Sequence, residues 1–89
     1  MHYRVTGKVQ GVGFRAYAVR LARECGVVGR VRNEADGSLS AEAAGSEAAL
    51  LSFAAGLRMG PPGARVERLD SSVLSDAVPV LTTDFAVED

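Results

Sequence analysis

A short segment near the amino terminus, residues 7–15, combines glycines and an arginine in an arrangement that suits the binding of an anion. Gly11 and Gly13 lie in a turn after a strand-like run, and Arg15 lies just inside the helical pattern that follows. The first N–H groups of a helix have no partner within the helix, and glycine lets the backbone approach a ligand closely. The alternative is an ordinary strand-to-helix turn in which the glycines only satisfy dihedral needs.

Arg15 favours the anion-binding interpretation because its charge is unusual at that place. A cation in the first helical turn faces the positive end of the helix dipole, at a cost of roughly 0.3–1 kcal/mol, which a bound anion would offset. Arginine also grips phosphate through two parallel N–H···O hydrogen bonds. The alternative is a solvent-facing arginine beside Arg20 and Arg23.

Asn33 ends the next strand-like run, before a turn that contains Asp36-Gly37. Taken alone, a polar residue here indicates only the end of a strand. Residues 11–16 also fit the G-x-G-x-x-A form of a dinucleotide site, but such a domain needs repeated parallel β-α units, and here the strand turns straight back. No Gly-Lys-Ser/Thr follows the glycines, so a Walker loop is excluded too.

The hydrophobic patterns predict the elements that must position these residues. Alternating or β-branched runs indicate strands, and apolar residues at i, i+3, i+4 and i+7 indicate amphipathic helices. Strands are predicted over residues 1–9, 27–33, 38–44, 64–74 and 85–87, and helices over residues 14–25 and, after the N-cap Ser46, up to Gly60-Pro61-Pro62-Gly63. An irregular stretch around Pro79 separates the last two strands.

The order β-α-β-β-α-β plus a short terminal strand predicts an α+β sandwich with two helices on one face of an antiparallel sheet. Two apolar helical stripes would cover that face. They comprise Phe14, Tyr17, Ala18, Leu21, Ala22 and Cys25 on the first helix and Leu50, Phe53, Ala54 and Leu57 on the second. A chain of 89 residues has the size of one compact domain, so we expect residues 1–89 to form a single domain.

The composition is that of a soluble globular protein, with 47% apolar and 24% charged residues. No apolar run approaches the roughly 18 residues of a membrane span, and the start lacks a secretory segment, so a cytoplasmic location is predicted. Cys25 and His2 are the only cysteine and histidine, which excludes a disulfide framework and a zinc site. We expect Cys25 to be a buried packing residue and His2 a surface strand residue.

The charges are unevenly distributed although the formal net charge is only −1. Residues 1–33 hold seven basic residues and one acidic residue, Glu24. The acidic pI of about 5.8 argues against broad nucleic-acid binding. The basic first third suits one small anion, while charges scattered over solvated faces are an equal alternative.

The run Gly7-Lys8-Val9-Gln10-Gly11-Val12-Gly13-Phe14-Arg15 resembles the signature of the acylphosphatase family, which reads Gly, any, Val, Gln, Gly, Val, any, Phe, Arg. Each fixed position is matched. A second block of the family, a Gly-any-Val-any-Asn strand before a glycine-containing hairpin, resembles residues 29–33 and the hairpin that follows. Gly45 before the second helix also agrees, and the resemblance covers essentially the whole chain.

The resemblance implies a ferredoxin-like sandwich that hydrolyses the carboxyl-phosphate bond of acyl phosphates. Arg15 and Asn33 would be catalytic, with Asn33 orienting the attacking water. The phosphoryl group would bind Arg15 and the loop amides of Gln10, Gly11, Val12, Gly13, Phe14 and Arg15. The resemblance implies no cofactor, metal or phosphoenzyme. It also implies no general base, because the substrate's own phosphate would take the proton as the carboxylate leaves. We expect a monomer that binds a small acyl phosphate or inorganic phosphate, but neither nucleic acid nor membrane.

Two departures from the family pattern stand out. Arg30 occupies a position where members commonly carry Trp, so the substrate preference and the groove shape of the family do not carry over to this chain. The chain ends in Val87-Glu88-Asp89 in place of a basic residue and Tyr, which concerns the packing of the terminal strand.

Two other functions fit parts of the sequence. A non-catalytic anion-binding module on the same fold would need the loop and Arg15 but not Asn33. The acylphosphatase-like domain that opens larger carbamoyl-transfer maturation proteins would be followed by zinc-finger cysteines. No such cysteines follow in this sequence, so a stand-alone protein is the favoured interpretation.

Overall fold

The computed structural model describes residues 1–73 in full and the backbone of residues 85–87. Its elements are β1 (His2–Lys8), α1 (Phe14–Cys25), β2 (Val28–Asn33), β3 (Leu39–Ala44), α2 (Glu47–Met59), β4 (Arg65–Ser72) and β5 (Phe85–Val87). This order confirms the predicted one. The strand predicted over residues 64–74 ends at Ser72, and Val73 is exposed. Leu74, Pro79 and the last two residues lie outside the described residues.

The five strands form one sheet in the order β4-β1-β3-β2-β5. β1 pairs with β3 and β4, and β2 pairs with β3, all antiparallel. β5 adds to the outer side of β2 in parallel. Helix α1 lies over β2 and β5, α2 lies over β4 and β1, and the two helices contact each other. The fold is therefore the predicted ferredoxin-like α+β sandwich.

The core lies between the helices and one face of the sheet. Leu39, Ala41 and Ala43 of β3 are buried, as their alternation predicts. The rings of Tyr3 and Phe53 meet edge to face at 5.7 Å, which joins β1 to α2. The other buried apolar residues are Val5, Val9, Phe14, Ala18, Ala22, Val27, Val31 and Leu57.

The helix boundaries follow from local capping chemistry. Gly26 ends α1 in the left-handed conformation, and its N–H donates to the carbonyl of Ala22 at 2.9 Å. At the start of α2, the hydroxyl oxygen of Ser46 accepts from the N–H of Ala49 at 3.1 Å. Both caps confirm the sequence prediction.

The sheet face that points away from the helices carries ion pairs between neighbouring strands and the β2–β3 hairpin. They join Arg4 to Asp36, Arg30 to Glu42 and Arg32 to Glu34. Three of the seven basic residues in residues 1–33 therefore pair with carboxylates on a solvated face. For these three, the structure agrees with the alternative that the charges are scattered over solvated faces. Within the described residues, no helix is long and apolar enough to cross a membrane.

Candidate active site

The sheet topology brings the glycine turn and Asn33 to the same edge. β1 and β2 are both antiparallel to β3, so they run in the same direction and end at the same side of the sheet. Val5, Leu39 and Asn33 occupy one row across the three strands, because Val5 pairs with Leu39 and Leu39 pairs with Asn33. The loop after β1 and the end of β2 therefore lie close together, although they are distant in sequence.

The loop of residues 10–13, here called the glycine loop, is held by buried side chains at both ends. Val9 precedes it with 1% of its surface exposed, and Phe14 follows it with 2%. Gly11 and Gly13 are exposed between these anchors. Burial of the flanking residues fixes the loop without covering its backbone.

Gly13 is the N-cap of α1 and adopts the left-handed conformation, with φ 76° and ψ 20°. A β-carbon there would meet no atom within 4 Å, so the backbone angle and not crowding calls for glycine. No side chain caps this helix start, and its first turn has no acidic residue. Helix α2, in contrast, has the Ser46 cap and Glu47. Within the described residues, the positive dipole end at the start of α1 is therefore offset neither by a side-chain cap nor by an acidic residue in the first turn.

A cleft of about 430 Å³ opens at this helix start. Arg15 and Asn33, both half-buried, line the same cleft. We call it the loop cleft, and its lining residues are Val9, Gly11, Gly13, Phe14, Arg15, Ala16 and Asn33. Arg15 is the one ionisable side chain among these lining residues.

Most of the site residues predicted from the sequence meet in the loop cleft, and two do not line it. Val12 turns toward the core and packs against its edge. Gln10 directs its side chain to the β2–β3 hairpin. Val9 and Ala16 line the cleft but were not predicted as site residues. The sequence could have indicated them only through their positions, since Val9 directly precedes the glycine loop and Ala16 directly follows Arg15.

The carboxamide of Gln10 bridges the glycine loop and the β2–β3 hairpin. Its Nε2 donates to the backbone carbonyl of Glu34 at 2.8 Å and to that of Ser38 at 3.0 Å. The same two residues close the turn, since the N–H of Glu34 donates to the carbonyl of Ser38 at 2.8 Å. The hairpin that follows Asn33 is thus attached to the loop.

The two hairpin carboxylates are engaged outside the loop cleft. Glu34 accepts from the hydroxyl of Ser40 at 2.7 Å and from Nε of Arg32 at 2.6 Å. These two hydrogen bonds, first that of Ser40, lower the pKa of the Glu34 carboxyl below its ordinary value. Asp36 accepts from the hydroxyl and the N–H of Ser38 and pairs with Arg4. Both carboxylates stabilise the hairpin, and neither lines the cleft.

Arg30 lies on the solvated face of the sheet. Its Nε and Nη2 donate to the carboxylate of Glu42, its cross-strand partner, at 3.2 and 3.1 Å. Val31 and Asn33 alternate with it and point to the other face. The departure from the usual Trp therefore changes the back of the sheet and not the lining of the loop cleft.

Cys25 and His2 both lie away from the loop cleft. Cys25 is half-buried against the core, where burial raises the pKa of its thiol. His2 is half-buried on β1.

The family model described as Acylphosphatase matches residues 1–87. The chain belongs to the acylphosphatase family. It is 49% identical to an acylphosphatase of Rhizobium etli over 70 residues, which span 79% of this chain and 74% of the relative. The structural likeness to an acylphosphatase from Bacillus subtilis has a TM-score of 0.83 at 32% identity, covering 99% of this chain and 98% of the other.

Family membership makes this chain an enzyme, an acylphosphatase, and supports acyl phosphate hydrolysis as its activity. The same fold also occurs within a longer protein. HypF of T. kodakarensis contains it with a TM-score of 0.84 at 28% identity, where the match covers 99% of this chain and 11% of HypF.

Proposed function

We propose that this acylphosphatase binds the phosphoryl group with Arg15 and the backbone amides of residues 10–15, and that Asn33 orients the water that attacks phosphorus. One observation carries the proposal: Arg15 and Asn33 line the same cleft, at the start of a helix without a cap or an acidic first turn.

Phosphoryl binding rests on three features that act on the same anion. The first N–H groups of α1 point out of the helix start, the dipole favours negative charge there, and Arg15 adds a full positive charge in the first turn. Each charge-assisted hydrogen bond contributes about 1.5–3 kcal/mol. Half-burial of Arg15 strengthens its hydrogen bonds, because less water competes for them.

The hydrolytic step transfers the phosphoryl group from a carboxylate to water. The water oxygen forms a new P–O bond while the bond between phosphorus and the acyl oxygen breaks, and the carboxylate leaves with the electron pair. A water proton passes to a phosphate oxygen, so no protein group has to titrate. The carboxamide of Asn33 can both accept a hydrogen bond from the attacking water and donate one to it without titrating, which supplies the positioning that phosphoryl transfer needs.

The leaving group needs no general acid. A carboxylate is the conjugate base of an acid with a pKa of about 4, so it departs unprotonated at neutral pH. Arg15, the one ionisable side chain among the described residues that line the loop cleft, serves as an electrostatic group. The proposed reaction accordingly uses neither a metal ion nor a phosphoenzyme.

We extend the proposal to a cytoplasmic monomer that acts on small acyl phosphates as a single domain of residues 1–89.

The decisive experiment follows the hydrolysis of an aryl acyl phosphate by ultraviolet absorbance, with and without EDTA. Wild type should turn over equally in both buffers. Asn33→Ala should lower kcat by at least about a hundredfold, the scale of losing one transition-state polar contact. Its inhibition constant for inorganic phosphate should stay within about threefold of wild type, a change of less than about 1 kcal/mol, because Asn33 is proposed to contact the attacking water and not the phosphoryl group.

Asn33→Asp is the matched control, because it keeps the size of the side chain but places a carboxylate beside the phosphate. We expect it to lose both turnover and phosphate inhibition. Full activity of Asn33→Ala would disprove the role of Asn33. A wild type no faster than buffer, but still binding phosphate, would favour the non-catalytic anion-binding module.

A further inference from the structure

The structure assigns a second task to the glycine loop: we propose that the side chain of Gln10 is a positioning residue that holds Asn33 in register with the loop and Arg15. This inference rests on the proposed function, in which Asn33 orients water. It concerns how the two halves of the loop cleft are kept together, and it gives Gln10 a role distinct from that of its backbone amide.

The geometry of the bridge matches the chemistry of a carboxamide. The NH₂ group has two protons, and two backbone carbonyls, those of Glu34 and Ser38, receive them at 2.8 and 3.0 Å. Both neighbours are pure acceptors, so the orientation of the amide follows from the contacts themselves. A carboxylate could donate to neither oxygen, and an asparagine is one methylene too short to span the same gap.

The acceptors lie where they can control Asn33. Glu34 is the next residue in the chain, and Ser38 directly precedes Leu39, the cross-strand partner of Asn33. The N–H of Gly37 also donates to the carbonyl of Glu34, at 3.2 Å. Gln10 therefore donates hydrogen bonds to both ends of the turn that connects β2 to β3, just beyond Asn33.

The other end of the bridge is equally fixed. Gln10 directly follows Val9, which has 1% of its surface exposed. Gln10 itself is half-buried, so water competes only in part for the two carbonyls. The glycine loop and the hairpin are 24 and 28 residues apart at these contacts, and Gln10 couples them directly. Misplacement of a catalytic group by about 1 Å can cost a hundredfold in rate, so such a coupling bears on turnover.

The kinetic test compares Gln10→Met, which keeps an unbranched side chain but has no donor, with wild type. We expect kcat for the aryl acyl phosphate to fall about tenfold or more, while the inhibition constant for inorganic phosphate changes less than about threefold. Gln10→Glu should be at least as slow, because its carboxylate faces two carbonyl oxygens. Tyr17→Phe is the matched control: it removes a 2.8 Å hydrogen bond from the Tyr17 hydroxyl to the carbonyl of Gly56, which joins α1 to α2 and not the loop to the hairpin, and should leave kcat unchanged.

A double-mutant cycle tests whether Gln10 acts through Asn33. In an Asn33→Ala background, Gln10→Met should lower kcat by less than about twofold, because the group that it positions is absent. An equal loss in both backgrounds would overturn the proposal, as would a wild-type kcat in Gln10→Met.

A spectroscopic measurement decides the matter without turnover. Gln10 and Asn33 are the only glutamine and asparagine, so a ¹⁵N-labelled sample gives two carboxamide NH₂ pairs. Gln10→Met should leave one pair, that of Asn33, shifted from its wild-type position together with the amide signals of residues 34–38. An unshifted Asn33 pair would overturn the positioning role even if the enzyme proved inactive on the chosen substrate. Conversely, a shifted pair with an active Asn33→Ala variant would uphold the bridge and disprove only the role of Asn33 in hydrolysis.

Discussion

Gly29 lies directly against the backbone of Glu42, so that a β-carbon on Gly29 would stand 1.8 Å from the Glu42 carbonyl oxygen. Its φ of 150° is also one that other residues rarely adopt. This contact lies on β2, four residues before Asn33, and gives a physical reason for the glycine that opens the second family block. The strand that carries Asn33 can pair closely with β3 only because Gly29 has no side chain.

Gly29→Ala is therefore expected to destabilise the fold by more than about 2 kcal/mol, because the β-carbon must displace backbone of β3. Chemical denaturation followed by circular dichroism measures the loss. Gly45→Ala is the matched control, since its β-carbon would meet a side-chain methyl of Val27 at 3.0 Å and has no positive φ to overcome. Equal stability of the Gly29 variant and wild type would contradict the close approach.

Arg15→Ala is expected to abolish measurable binding of inorganic phosphate. The variant loses the one charged side chain among the described residues that line the loop cleft, and with it the forked hydrogen bonds that a guanidinium can donate to phosphate. Arg15→Lys keeps the charge but not the fork and should weaken binding about tenfold or more, the loss of one charge-assisted hydrogen bond. Isothermal titration calorimetry with phosphate measures both.

Arg58→Ala controls for the change in net charge, because Arg58 is exposed in the last turn of α2 and is not among the described residues that line the loop cleft. Its phosphate affinity should match wild type. Unchanged phosphate affinity in Arg15→Ala would remove Arg15 from the site.

Much of this arrangement follows from local sequence signals. Ser46 predicts the start of α2, Gly26 predicts the end of α1, and the signature places Arg15 and the glycines at a helix start. These features depend on neighbours within a few residues, where hydrogen-bonding needs and apolar periodicity leave few choices.

The side-chain contacts of Gln10 and Arg30 could not be predicted in the same way. The signature identifies Gln10 by its place beside the glycines, but its partners are the carbonyls of a hairpin that only the folded sheet brings near. Arg30 meets Glu42 through the exact register of β2 and β3, and a shift of one residue would place it on the other face. These contacts depend on how distant segments pair in the folded sheet, and the periodicity of the sequence alone does not determine that pairing.

The pKa of Glu34 gives a prediction about pH. Because the folded pKa is lowered, the carboxylate stabilises the hairpin at pH values above the ordinary glutamate pKa, and this stabilisation is lost as pH falls through the lowered folded value. Ser40→Ala removes the hydroxyl that lowers this pKa most, so the pKa of Glu34 should rise toward its ordinary value. A ¹³C NMR titration of the Glu34 carboxyl carbon measures it.

Ser38→Ala is the control for that titration, since the Ser38 hydroxyl donates to Asp36 at 2.6 Å and not to Glu34. It should leave the Glu34 midpoint in place. A Glu34 midpoint in Ser40→Ala that equals wild type would show that the Ser40 hydrogen bond does not set the titration.

The two helix starts allow one substitution to have opposite effects on stability and binding. Ala16 is exposed in the first turn of α1 and lines the loop cleft, whereas Ala48 is exposed in the first turn of α2. A glutamate at either position should stabilise its helix by roughly 0.3–1 kcal/mol through the dipole. Ala48→Glu should keep wild-type turnover. Ala16→Glu should unfold no earlier than wild type yet lose phosphate inhibition and turnover, because its carboxylate competes for the positive site that the phosphoryl group needs.

Thermal unfolding and phosphate inhibition, measured on both variants, separate these effects. If Ala16→Glu bound phosphate as well as Ala48→Glu does, the uncapped start of α1 would not be the anion site. The other outcome is that Ala16→Glu loses phosphate binding while its melting temperature is maintained or raised. Function would then explain why the first turn of α1 has no acidic residue, because a carboxylate that stabilises the helix would exclude the substrate.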